Sequence, residues 1–170
     1  LGLWDWDLRT DIVYHSHLEE IFGLEQSQVT MLGDLRPRVH PDDLGRVREA
    51  LIRHFKDGTP YCIEYRVRHQ QGHWVWVEDN GRAVDRDING QAQRMIGTRR
   101  DITARRQRHD LDRLAATVFE ATSDGIFILD PTLRVLAVNQ AFSVITGYAA
   151  RDIREQPLFS LSSDPETLDT

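Results

Sequence analysis

Two stretches of this chain share one frame. Gly2-Leu-Trp-Asp-Trp-Asp7 leads to a close at Ile21-Phe22-Gly23-Leu24, and Gly125-Ile-Phe-Ile-Leu-Asp130 leads to a close at Ile145-Thr146-Gly147-Tyr148. The glycine-to-aspartate spacing is the same in both, and the copies lie about 124 residues apart. Solenoid and propeller units recur at ~20–50 residues, so so long a separation signals tandem domains rather than a repeat array. The chain therefore reads as a whole unit over 1–103, a connector over 104–123, and the opening part of a second unit over 124–170.

Charge narrows the choice of partner. The chain has 21 basic and 27 acidic residues, for a formal charge of −6. Nucleic acid and anionic lipid both want a basic face, so neither is expected as a partner of this segment. A single cysteine, Cys62, excludes a disulfide framework and cysteine-based zinc sites and suits a reducing compartment. No apolar run approaches the ~18–20 residues that span a bilayer, and no signal-peptide pattern is present. The first residue is Leu1 rather than Met. Upstream sequence is therefore expected, and a membrane anchor in the parent stays open.

Periodicity assigns the elements. Trp4 and Trp6 alternate with Asp5 and Asp7, the pattern of a half-buried strand, and residues 11–15 read as a second strand after the turn at Arg9-Thr10. Ser16-His17-Leu18-Glu19 fits a capping box for a short helix ending at Gly23. His40-Pro41-Asp42-Asp43 marks a helix start, and Leu44, Val47, Leu51 and Phe55 line one face before the stop at Asp57-Gly58. Three strands follow: Tyr61–Arg68, His73–Asp79 and Gln93–Thr103, with a hairpin signal at Asn89-Gly90. The expected class is α+β, one five-stranded antiparallel sheet with helices on one face. Thr103 can cap the next helix, where Ala104, Gln107, Leu111, Leu114, Val118 and Ala121 follow heptad spacing. A solvated linker and a parallel coiled coil between protomers fit that short seam equally well. The nearby arginines, Arg99 to Arg108, read as its polar face.

These segments resemble the PAS sensory family. The carriers are Gly2-Leu-Trp-Asp-Trp-Asp7, His40-Pro-Asp-Asp43, Glu64-Tyr-Arg66, Gly72-His-Trp-Val-Trp76 and Gly97-Thr-Arg-Arg-Asp-Ile-Thr103, in the family's order. The second copy resembles the first half of such a domain through Gly125–Asp130, Asn139-Gln-Ala-Phe142 and Gly147-Tyr148. The resemblance implies the PAS fold with a C-terminal signalling helix, and a cytoplasmic module that binds a small ligand or partner and dimerises. It would pass strain through Asp101 and Thr103 into a helix whose relay residues are Leu111, Leu114 and Val118. It also implies a bacterial multidomain parent whose output, cyclic-di-GMP turnover or a histidine kinase, lies outside this chain.

No catalytic residue and no metal site is assigned. His15-x-His17 lacks a paired carboxylate or cysteine. Capping and the helix dipole account for His40-Pro-Asp-Asp43. His109-Asp110 lacks the His-Glu-x-x-x-Pro pattern of a phospho-accepting helix, so His109 reads as a linker histidine. Cys62 lies near the start of a strand, whereas light-sensing relatives carry their cysteine in a Gly-x-Asn-Cys-Arg helix, so a flavin photoadduct is not expected. Haem relatives carry the axial histidine on the inner face of the long helix, where this chain has Val47 and Leu51, and His54 reads as a solvated helix end. No cofactor is firmly implied.

What remains is a cavity. With Trp4 and Trp6 inward, as the resemblance implies, alternation sends Ile63, Tyr65, Val67, Val75, Val77, Met95 and Gly97 inward, beside Val47 and Leu51. They line a ligand pocket or are close-packed core. Trp74 and Trp76 fall on the outer sheet face with Glu64 and Arg66, which read as a surface cross-strand pair. Two tryptophans there are costly to leave wet, so a partner protomer or a helix should cover them. A ligand sensor is the leading expectation and a homodimer the expected assembly. A ligand-free dimerisation and relay module is the rival.

Overall fold

The computed structural model describes residues 1–17, 21–24 and 30–158. The chain forms two compact units, Leu1–Gln107 and a second from Arg108 onward. The first contains β1 (Gly2–Asp7), β2 (Ile12–His15), β3 (Thr30–Met31), α1 (Leu32–Leu35), α2 (Pro41–Asp57), β4 (Tyr61–Arg68), β5 (Trp74–Arg86) and β6 (Ala92–Asp101). Its strands form one antiparallel sheet in the order β3-β2-β1-β6-β5-β4. The five expected strands are all there. The sixth, β3, is a two-residue edge pairing with Ile12 and Val13 that no alternation in the sequence marks.

The sheet centre is built around one indole. Trp4 sits opposite Gly97 of β6, and its ring lies over both Gly97 and Gly81. A Cβ at either glycine would fall well under 3.0 Å from that ring. Glycine in two central strands weakens them, and here it marks the floor on which a large side chain rests.

Helix α2 begins and ends as its sequence dictates. His40 Nδ1 accepts the Asp42 N–H at 3.2 Å, Pro41 takes the first helical position, and Gly58 closes the helix at φ 74°. The buried stripe of α2 is not the expected one. Asp43, Ala50 and His54 are its buried residues, while Leu44, Val47, Leu51 and Phe55 are half-buried.

That stripe corrects two expectations. His54 is not a solvated helix end: it is 5% exposed, Nε2 accepts the Ala83 N–H at 2.9 Å, and Nδ1 meets the Thr59 carbonyl at 2.7 Å. The ring thus ties α2 to β5. Asp43 does more than neutralise a helix end. It is 3% exposed and accepts from Arg66 Nε at 2.8 Å, the Arg66 N–H at 3.0 Å and Arg46 Nη2 at 2.8 Å. Burial opposes its charge, but these bonds outweigh burial and hold the carboxyl well below the usual carboxylate range. Glu64 and Arg66 consequently do not pair with each other. Arg66 reaches Asp43, and Glu64 accepts from Arg105 and Arg106.

The capping box expected over 16–19 runs into residues outside those described. Ser16 Oγ itself accepts the Leu3 N–H at 2.8 Å. Arg99 corrects the reading of the basic run as a helix face, because it belongs to β6 and its side chain is only 12% exposed. Helix α3 (Thr103–Ala121) follows β6 and has no buried residue.

In the second unit, β7 (Phe127–Leu129) pairs with β8 (Val135–Val138), followed by α4 (Gln140–Thr146) and α5 (Ala150–Ile153). Val135, Val138 and Ile153 form its small core. Asn139, 1% exposed, spends its amide fully. Oδ1 accepts from Ile126 and Phe142, and Nδ2 donates to the Phe119 and Asp124 carbonyls. The tail around Ser160–Pro165 lies outside the described residues.

Candidate functional site

A cavity of about 700 Å³ lies in the first unit between the inner sheet face and α2. β1 contributes Trp4 and Trp6, β2 Val13 and His15, β4 Tyr61, Tyr65 and Val67, and α2 Leu44, Val47, Leu51 and Phe55. Of the residues singled out in the sequence, Trp4, Trp6, Val47, Leu51, Tyr65 and Val67 line it. Val77 and Met95 are fully buried in side-chain packing instead, and Ile63 packs at the edge of both core clusters. Gly97 lies under Trp4. A shallower concavity of about 800 Å³ on the outer sheet face is lined by residues of opposite parity such as Leu3, Tyr14 and Ile96. The inner cavity is the better candidate, because it gathers buried polar groups.

Those groups centre on Asp79 and Arg99, which the sequence reading missed. They are direct partners in the β5–β6 register. Arg99 donates to Asp79 Oδ2 from Nη2 at 2.6 Å and from Nε at 3.2 Å. Trp4 Nε1 donates to Oδ1 at 2.6 Å, and the Tyr65 hydroxyl to Oδ2 at 2.7 Å. Burial works against the Arg99 charge, but the Asp79 carboxylate outweighs it and raises the guanidinium above its ordinary value. Burial likewise holds the Tyr65 hydroxyl far above its ordinary value of 10.0, so it serves as a donor. The signal was present in the alternation itself. Asp79 continues the Val75, Val77 parity, and Arg99 continues Met95, Gly97.

His15 shares this space, and its Nε2 is buried without a hydrogen-bond partner among the described residues. Burial, and then the charge of Arg99, push its imidazole down to about 4 from the ordinary 6.5. Between those values the unfolded chain binds a proton that the native state refuses, so stability falls as pH drops from 6.5 towards 4. Melting temperature should therefore decline less over that window in His15→Gln than in the parent. Parallel curves would show that His15 protonates freely in the native state. His17 is exposed at φ 58°, and the described contacts do not join the two rings.

The same two strands hold the start of α3. Ile102, 3% exposed, donates its N–H to the Trp76 carbonyl at 2.8 Å, and the Trp76 N–H donates to Thr103 Oγ1 at 3.0 Å. Asp101 Oδ1 accepts the Thr103 N–H at 2.7 Å. The cap is therefore Asp101, and Thr103 spends its hydroxyl on β5 rather than capping as expected. Arg106 stacks 4.0 Å from the Trp76 ring centroid, and Arg66 lies 5.3 Å from it. Trp76 is thus covered by this chain's own helix start, while Trp74 stays 39% exposed beside His40 and Arg68. Leu111, Leu114 and Val118 are 65%, 59% and 60% exposed.

An antiparallel sheet with helices on one face, a cavity between them and a helix leaving its last strand is the arrangement of a PAS domain. Residues 12–99 match the family model described as PAS fold, and residues 113–169 match one described as PAS domain. The chain belongs to the PAS family. A sensory box histidine kinase/response regulator structure from Burkholderia thailandensis is 34% identical with a TM-score of 0.60, covering 69% of this chain and 88% of that one. The N-terminal domain of a diguanylate cyclase with PAS/PAC sensor from Marinobacter aquaeolei is 27% identical at a TM-score of 0.55, covering 62% and 97%. The non-motile and phage-resistance protein of Caulobacter vibrioides is 26% identical over 148 residues, which are 83% of this chain and 18% of that protein. The chain thus spans under a fifth of that relative's length. No helix among the described residues is long and apolar enough to cross a membrane.

Proposed function

We propose that the first unit senses a small molecule in its inner cavity and reports occupancy through the start of α3 to an output domain elsewhere in the parent. One observation carries this reading: the Asp79–Arg99 pair lines the cavity on the two strands that anchor α3. Arg99 lies two residues before Asp101 on β6, so a ligand that shifts Arg99 moves the backbone that caps the helix. The relatives named as a histidine kinase and a diguanylate cyclase support an output of either kind. Moving such a switch from 1:99 to 99:1 takes about 5.5 kcal/mol of differential interaction. A native mass spectrum with an ultraviolet-visible scan of the protein as purified tests the reading. A retained small molecule is expected, and an empty cavity across growth conditions would count against sensing.

The exposed seam of α3 supports the rival, a relay that works by dimerisation alone. In a homodimer Leu111, Leu114 and Val118 would face their counterparts, with Trp74 as the remaining exposed tryptophan of the sheet face. Leu114→Asp would then bury like charges and weaken self-association in analytical ultracentrifugation by about tenfold or more. An unchanged dimer constant would make the helix a passive linker and move dimerisation to the outer sheet face.

A further inference from the structure

We infer that the cavity takes a small organic acid, a single carboxylate carried on an apolar body. This rests on the sensor reading above and names the chemistry it would sense.

The polar cluster is saturated on one side and open on the other. Both Asp79 oxygens are engaged, Oδ1 by Trp4 and Oδ2 by Tyr65 and Arg99. Arg99 spends Nε and Nη2 on Asp79, and no bond to a described residue occupies Nη1. His15 adds a buried Nε2 with no hydrogen-bond partner among the described residues, and a neutral imidazole can carry its proton there as a second donor. What the cavity lacks is therefore an acceptor.

Charge points the same way. Among the described charged residues of the lining, Arg36, Arg48 and Arg99 stand against Asp79 alone. A lining with more positive than negative charge is unexpected in a chain of formal charge −6. Arg36 and Arg48 are exposed, where they can draw an anion to the opening, and Arg99 is largely enclosed, its side chain 12% exposed, where it can hold one. Trp6, Val47, Leu51 and Phe55 make the α2 side of the wall apolar, and Tyr61 adds a hydroxyl near Asp79 and Arg99. A phosphorylated or polyanionic ligand would need more donors at the enclosed end than Arg99 Nη1, the His15 imidazole and the Tyr61 hydroxyl supply, since Arg36 and Arg48 stand at the opening. A monoanion with an aromatic or aliphatic body satisfies both ends, and about 700 Å³ falls in the range of small-molecule sites.

The test uses matched pairs on the full chain: 3-phenylpropionate against 3-phenylpropionamide, and octanoate against octanamide, by isothermal titration up to millimolar concentration. The acids should bind about 10- to 100-fold more tightly than their amides, the worth of one charge-assisted hydrogen bond. That preference should vanish in Asp79→Asn/Arg99→Gln, which removes both charges together and leaves neither buried alone. If the double variant does not fold, the acid–amide comparison on the unmodified chain decides. Equal affinity for acid and amide overturns the organic-acid assignment and leaves the sensor reading standing. Binding by none of the four overturns it too. A neutral molecule retained in the native mass spectrum would then preserve the sensor reading, and an empty spectrum would end both.

Discussion

Replacing Arg99 with Met should destabilise the first unit by about 3–5 kcal/mol, the cost of leaving one member of a buried ion pair without the other. Methionine keeps much of the length and the apolar packing beside Phe22 and Tyr65, so the loss reports the charge. Asp79, 1% exposed, would keep only Trp4 and Tyr65 as side-chain donors among the described residues. The paired change Asp79→Asn/Arg99→Gln should cost clearly less than the sum of its single variants, because each single change strands a charge that the double change removes. Urea denaturation read by tryptophan fluorescence gives all four values of the cycle. An Arg99→Met variant within about 1 kcal/mol of the parent would mean that water reaches Asp79 freely.

Trp4→Ala should cost as much, about 3–5 kcal/mol, since it opens a cavity at the sheet centre and takes a donor from Asp79. The glycines beneath the indole provide a sharper form of this prediction. Gly97→Ala should be destabilising in the parent, where its Cβ meets the Asn80 carbonyl oxygen and the Trp4 ring. In the Trp4→Ala background the ring clash is gone, and the same substitution should cost measurably less. Additive values would mean that Trp4 and Gly97 do not share the space the structure assigns them.

The strands were legible because each keeps one parity across its length: Trp4 with Trp6, Tyr61 through Val67, Val75 with Val77. The ends of α2 were legible because His40-Pro41 and Gly58 act locally. The polar centre of the site is not legible from apolar alternation, which stops at Val77 on β5 and Gly97 on β6. Asp79 and Arg99 continue the inward parity with opposite charges, and only the β5–β6 register shows that they meet. Arg99 was also hidden inside an arginine-rich run. His54 escaped for a different reason. Its acceptor nitrogen serves an amide at Ala83, beside a register shift in β5, and nothing local to the helix announces that demand. Asp43, Val47, Ala50 and His54 form a second stripe at helical spacing, which hydrophobicity marks less strongly than Leu44, Val47, Leu51 and Phe55. The stripe that is buried holds α2 to the sheet, and the half-buried one faces the cavity.

The central claim is that the state of the cavity reaches the start of α3 through β5 and β6. Val47→Trp would fill the cavity from the α2 side while leaving Asp79, Arg99 and the helix anchor unsubstituted. Amide hydrogen exchange then compares the parent and the variant at Ile102, Thr103 and Arg106, whose N–H groups bond to Trp76, Asp101 and Ile102. The account predicts that filling the cavity changes protection at these amides by about tenfold, equivalent to ~1.4 kcal/mol in the local opening free energy. Unchanged protection there, with every difference confined to α2 and β4, would contradict it.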